Sequence, residues 1–127
     1  MSMEITWGKN RSLATEIRGH PIRIELGTGE VPGPTPSDMF LFALGGCVAV
    51  YAADYATRHD IPTEGMAIEV DYDVASNPKR ISDVRIRITM PAEVPEKFRK
   101  PLLRAASDCY LHSTIQHGPK LDIAYAE

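Results

Sequence analysis

Sulfur is scarce in this chain: 127 residues carry two cysteines, Cys47 and Cys109. That is too few for a disulfide-stapled secreted scaffold and, alone, too few for a cysteine-rich zinc module. Positive charge is also short. Fourteen Lys and Arg face seventeen Asp and Glu, a formal net charge of −3. No overall positive field exists to hold nucleic acid or an anionic membrane surface, and neither is expected as a partner. Long apolar runs are missing too. The longest uncharged one, residues 39–53, falls below the roughly 18–20 residues needed to cross a bilayer. Residues 1–7 lack the basic and apolar regions of a signal peptide. The expectation is a cytoplasmic, reducing location, where the cysteines are either core filler or redox groups.

What is present fits one folded unit. Apolar residues make up 43% and charged residues 24%, which excludes wholesale disorder and predicts a single domain over residues 1–127. Gly27-Thr28-Gly29 is a turn signal and not a phosphate-binding loop, so no nucleotide cofactor is expected. Nucleophile elbows, paired metal-ligand helices and calcium loops are absent from the sequence.

The first third reads as short strands. Residues 4–7 and 11–17 flank a Gly8-Lys9-Asn10 turn, and Arg18-Gly19-His20-Pro21 forms a second. Pro21 lacks a backbone donor, so the third strand is expected just after it, with Ile22, Ile24 and Leu26 on one face. A Gly- and Pro-rich loop covers residues 27–36. Thr35-Pro36-Ser37-Asp38 then has the form of a helix start, with Thr35 as N-cap and Asp38 three positions on. The residues that follow are apolar on every side, which predicts a central helix buried all round. Gly45 and Gly46 each cost about 1 kcal/mol of helix propensity, which fits a close approach of a second backbone. Ile61-Pro62 ends the helix.

Two alternating strands come next, with Met66, Ile68, Val70, Tyr72 and Val74 facing Val84, Ile86, Ile88 and Met90 in an antiparallel hairpin. Glu69, Asp71 and Asp73 on its outer face can pair with Arg85 and Arg87, as an ordinary solvated sheet surface. A second helix is expected from about Glu96, divided or kinked at Pro101, with Phe98, Leu102, Ala105, Ala106 and Cys109 on its core face. Leu121, Ile123 and Tyr125 predict a last strand over residues 120–126. The order β-β-β-α-β-β-α-β is an α+β pattern. One short chain has trouble covering a helix apolar all round, and a second copy is the simplest cover.

Two groups of residues have chemical potential. Cys109, His112 and His117 offer a few metal ligands, but without paired cysteine spacing the zinc reading is the weaker. A local hydrogen-bonding role for His112 is preferred, and no metal is expected. The second group is the cysteine pair. Free cysteines are most often buried, so core packing competes with redox chemistry for both.

Pro34-Thr35-Pro36-Ser37-Asp38 running into Leu44-Gly45-Gly46-Cys47, followed by Cys109-Tyr110-Leu111-His112-Ser113-Thr114-Ile115, resembles the OsmC/Ohr family of osmotically inducible and organic hydroperoxide resistance proteins, in its broad OsmC-like branch. The resemblance covers nearly the whole chain and implies an intertwined homodimer. It implies a thiol peroxidase in oxidative-stress defence, with Cys47 peroxidatic and Cys109 resolving. The substrate would be an organic hydroperoxide and the reductant a dithiol, such as a lipoylated protein. It further implies an arginine beside the thiolate, for which Arg11 is the first match and Arg18 the second. One departure stands out: the family's peroxidases carry a glutamate directly after the motif proline, where this chain has Ser37, with Asp38 one place later. Asp38 either assumes that role or serves only the helix cap. The alternative is a non-catalytic OsmC-like protein that binds a small apolar ligand and keeps its cysteines for packing. A zinc-stabilised binding module is the third reading.

Overall fold

The computed structural model describes residues 1–126. Two compact units divide the chain, residues 1–40 and 41–127.

In the first unit β1 (Thr6–Gly8), β2 (Ser12–Ile17) and β3 (His20–Glu25) form an antiparallel sheet in that order. Arg18 and Gly19 both have positive φ, 50° and 79°, and link Ile17 to its partner His20. This is the two-residue turn whose twist matches the flanking strands. Pro21 was expected to precede β3, yet it lies within it, opposite Glu16. An edge strand tolerates the missing donor. At the β1–β2 turn Asn10 and Arg11 also have positive φ. The buried Ser12 hydroxyl donates to Lys9 O at 2.8 Å and closes that turn.

Helix α1 (Pro36–Arg58) starts as its sequence predicts. Asp38 N donates to Thr35 Oγ1 at 3.1 Å, and Thr35 N donates to Asp38 Oδ2 at 2.9 Å. Two backbone donors at the helix start are thus satisfied reciprocally. Its end is equally well defined: Ile61 N donates to Ala56 O and Asp60 N to Thr57 O, with Asp60 at φ 56°. That is a Schellman ending, in which Ile61 packs with Ala56 in one apolar cluster.

The second unit is built on one stripe of α1. Leu41, Leu44, Gly45, Val48, Ala52 and Ala56 are buried. Strands β4 (Ala67–Ala75) and β5 (Arg80–Thr89) pair antiparallel, and Met66, Val84, Ile86 and Ile88 pack against Leu44, Val48 and Ala52. Burying each such aliphatic side chain is worth about 1.5–3 kcal/mol. On the outer face Arg85 reaches Asp71 at 2.8 Å and Asp73 at 2.9 Å, and Arg87 reaches Glu69 at 3.6 Å. The Arg85 guanidinium holds the Asp71 carboxyl below its usual range.

Within a single chain one side of α1 is left uncovered: Phe42 is 75% and Val50 57% exposed, the side for which a second copy is the expected cover. The helix is also longer than its uncharged run, and by length and composition it is long and apolar enough to cross a membrane. A core helix passes the same test, and the buried stripe gives α1 that role. Two further expectations need correction. Pro101 does not divide the second helix. Helix α2 (Glu96–Ser107) runs through it, with Leu102 and Ala106 buried. The break comes at Asp108–Cys109, where α3 (Tyr110–Gln116) begins. Nor do residues 120–126 form a strand. Their alternation is real, but a strand needs a ladder partner, and Leu121, Ile123 and Tyr125 are 87%, 93% and 90% exposed.

The two glycines of α1 are not equivalent. A Cβ at Gly45 would lie 2.9 Å from Val70 Cγ2, on a stiff β-branched side chain, while at Gly46 it meets nothing within 4 Å. Gly46→Ala is expected to raise stability by about 1 kcal/mol. Gly45→Ala adds the same propensity but overpacks the helix–sheet contact, for a net loss of about 1 kcal/mol. Urea unfolding midpoints of the two variants, compared at one protein concentration, check the difference in sign.

Candidate functional site: a buried cysteine pair

Cys47 and Cys109 both lie in the second unit, and the fold brings them together from residues far apart in sequence. Cys47 sits on α1 beside the buried stripe, one turn before Tyr51. It is half-buried, and both side chains pack against the cluster of Leu44, Val48, Ala52, Ala106 and Cys109. Cys109 has no exposed surface. Its core placement agrees with the sequence, but the cause differs. It does not continue the face of α2; it is the extended N-cap of α3, at φ −64° and ψ 150°. From there its Sγ accepts the His112 backbone N–H at 3.2 Å.

This environment makes Cys109 a reluctant acid. Burial comes first in raising its thiol pKa above the ordinary 9.0, because desolvation penalises the thiolate. A hydrogen bond to Cys47 and the negative charge of an ionised Cys47 hold the Cys109 proton further. The backbone N–H groups of His112 and Leu111 pull the other way without reversing the shift. The pair is therefore asymmetric in burial: Cys109 is fully enclosed and holds its proton, whereas Cys47 is half-buried.

The other predicted residues belong to the first unit. Arg11 stands at the β1–β2 turn with its guanidinium 5.8 Å over the Trp7 ring, and its Nε donates to Gly27 O at 3.1 Å. Arg18 is exposed at the tip of the β2–β3 hairpin. Asp38 is engaged in the capping box with Thr35. Its capping role is thus directly visible.

His112 has the local role preferred from sequence. Its Nδ1 bonds Ser107 O, and its Nε2 lies 3.3 Å from Gln116 Nε2. A carbonyl only accepts, so Nδ1 carries the proton and Nε2 accepts from the amide. His117 instead bonds Ser113 O at 2.9 Å. Among the described residues no three His, Cys, Asp or Glu side chains converge as a metal site. Sequence reasoning missed the cap formed by Cys109. The only signal was a capping-competent position three residues before His112, unmarked by any Gly or Pro.

A long apolar helix seated on an antiparallel hairpin, with one thiol on the helix and a second buried against it, defines an α+β protein with a paired-thiol centre. The chain belongs to the OsmC-like protein family, whose model matches residues 27–124. Solved structures share the fold at low identity. A Psychrobacter arcticus protein named for osmotic stress induction and a detoxification response is 21% identical, with a TM-score of 0.75 over 90% of this chain and 87% of its own. An OsmC-like protein from Mycoplasma pneumoniae is 15% identical, with a TM-score of 0.75 over 92% and 87%. An OsmC-like hydroperoxide resistance protein from Jannaschia is 19% identical, with a TM-score of 0.57 over 92% and 85%. A search of curated proteins finds no significant match.

The raised Cys109 pKa has a consequence for stability. In the unfolded chain this thiol ionises at the ordinary value of 9.0, whereas the folded protein retains the proton. Stability is undiminished below that value and falls as pH climbs from it toward the raised one. The urea midpoint of the reduced protein is expected to drop above about pH 9 by more than that of Cys109→Ser, measured across the same pH series.

Proposed function

We propose that the protein is a thiol-dependent hydroperoxide reductase acting on organic hydroperoxides, with Cys47 peroxidatic and Cys109 resolving. The observation that carries this reading is the asymmetric thiol pair, one half-buried on α1 and the other fully buried against the same apolar cluster. The Cys47 thiolate attacks the O–O bond of ROOH, leaving Cys47 sulfenic acid and releasing ROH after protonation. The Cys109 thiol then condenses with the sulfenic acid, forming a disulfide and water. An external dithiol, such as a lipoylated protein, reduces the disulfide by two successive exchanges. A Cys109 that keeps its proton suits this order, because it does not compete for peroxide. The apolar lining from Leu44, Val48 and Leu111 favours alkyl over hydrogen peroxide. Family membership supports the chemistry, as does the hydroperoxide resistance attributed to the Jannaschia relative.

Arg11 is the proposed source of positive charge for the attacking thiolate, with Arg18 second. Asp38, with no glutamate at Ser37, is assigned to the start of α1. Titration of free thiols after one equivalent of cumene hydroperoxide tests the reading. Two thiols per chain are expected to disappear rapidly in the wild type and none in Cys47→Ser, where Cys109 stays protonated. Arg11→Ala is expected to slow the loss at least about tenfold, the scale of one missing charge-assisted contact, and Arg18→Ala to leave it unchanged. Unreacted thiols in the wild type sink the proposal.

The working state is proposed to be a homodimer in the cytoplasm. Two observations support a second copy: the exposed side of α1 at Phe42 and Val50, and the alternating, fully exposed Leu121, Ile123 and Tyr125. Sedimentation is expected to give twice the 14.0 kDa chain mass, and Phe42→Glu to shift the population toward monomer. A wild-type protein sedimenting at the chain mass rules the dimer out.

A further inference from the structure

Arg23, Arg85, Arg87 and Arg99 each reach a carboxylate. Arg11 reaches none, yet the first unit holds it at several points. Its φ of 55° lies in the left-handed region, which a residue with a side chain keeps only where its surroundings fix it. Its carbonyl accepts the Leu26 N–H at 3.0 Å. Its Nε donates to Gly27 O at 3.1 Å, and its guanidinium lies 5.8 Å over the Trp7 ring. A guanidinium offers five N–H donors, and here the Nε–H alone is engaged. Among the described residues neither Nη of Arg11 has a hydrogen-bond or ion-pair partner.

The groups that hold Arg11 are themselves fixed. Gly27 has φ 71°, and a Cβ there would collide with Val31 O. Thr28 N donates to Val31 O at 3.0 Å and Gly33 N to Leu26 O at 2.9 Å. The loop thus closes on itself, and the Gly27 carbonyl keeps its direction. Trp7 pairs with Leu13 across the β1–β2 ladder, but its side chain serves no core, for the residue is 62% exposed. Burial does not account for an indole left largely in water; its contact with Arg11 gives it a local task. Arg18 makes the contrast. It too has positive φ, 50°, but among the described residues its side chain has no ion-pair partner and no aromatic face.

We propose that Trp7 is a positioning residue for Arg11: its indole face and the Gly27 carbonyl hold the guanidinium in one orientation, with both Nη groups free for an anion. The inference deepens the peroxidase reading and rests on the charge role given there to Arg11. A free arginine side chain loses much rotamer freedom when it meets an anion, and one already held loses less. An aromatic face suits this task better than a carboxylate. It attracts the cation through its ring but leaves the Nη donors open, whereas a carboxylate would take them in a paired contact. Trp7 acts in this role through Arg11 and not on the sulfur or the peroxide.

A double-mutant cycle on the rate of thiol loss with cumene hydroperoxide tests the proposal. Trp7→Ala is expected to slow the loss roughly threefold to fivefold, the scale of one exposed cation–aromatic contact. Trp7→Phe, which keeps a ring, is expected to restore most of the rate. In Arg11→Ala protein the Trp7→Ala change is expected to add nothing, because the two residues act as one. Nitrogen-15 relaxation of the Arg11 Nε–H gives a readout that needs no peroxide. Its order parameter is expected above about 0.6 in the wild type and in Trp7→Phe, and below that flexible threshold in Trp7→Ala. A Trp7→Ala rate equal to the wild type overturns the proposal, as does the same slowing by Trp7→Ala with and without Arg11. An Arg11 order parameter unmoved by Trp7→Ala also overturns it. Wild-type thiols that ignore cumene hydroperoxide overturn the peroxidase reading instead, and a drop of the order parameter in Trp7→Ala then leaves the positioning of Arg11 standing.

Discussion

The close seat of α1 on the β4–β5 hairpin governs the second unit, because the paired thiols depend on it. Gly45 leaves Val70 just enough room, and that approach lets Leu44, Val48 and Ala52 share one cluster with β5 and with Ala106 of α2. Cys47 flanks this contact on α1, and Cys109 enters it from the end of α2. Burial in that cluster is the first cause of the hold that Cys109 keeps on its proton. Packing and acid–base character are thus consequences of the same contact.

Much of this was legible in the residues wherever local rules and burial agree. Thr35 and Asp38 announced the start of α1, and the capping box is there. The alternation of β4 and β5 placed their apolar faces correctly, and the acidic and basic outer residues meet across the ladder as expected. The remaining elements were harder for different reasons. Residues 120–126 alternate like a strand, but among the described residues no ladder partner satisfies their backbone. The side of α1 bearing Phe42 and Val50 is as apolar as the buried stripe, so composition alone could not say which side the sheet covers. A proline inside a helical pattern predicts division or a kink, yet α2 runs through Pro101 and ends only at Ser107, before the extended Cys109.

The cysteines illustrate the same boundary. Helical spacing brought Cys109 to the core, and it is in the core, by a different backbone path. Its acceptor role toward His112 follows from a single extended residue between two helices. Such a residue leaves almost no trace in hydrophobic pattern. The roles of Arg11 and Asp38 were harder still. Asp38 satisfies its own helix start, which is reason enough for an acid at that position. Arg11 holds a left-handed turn, a carbonyl and an indole face in its own unit. These local functions coexist with the charge role proposed for it and neither require nor exclude it.

A cysteine is an unusual choice for an N-cap. Ser, Thr, Asp or Asn in the same extended conformation would accept the His112 N–H more strongly, since sulfur is the weaker acceptor. The substitution sacrifices part of a stabilisation of about 1 kcal/mol in a helix that has little to spare. The cap is therefore a minor term in holding α3. The seven-residue helix owes its place more to Leu111, which packs against the cluster shared with α1 and α2, and to the His112 ring on Ser107 O at the end of α2. The exchange of a stronger oxygen acceptor for sulfur is tolerated because those contacts anchor the first turn from the side.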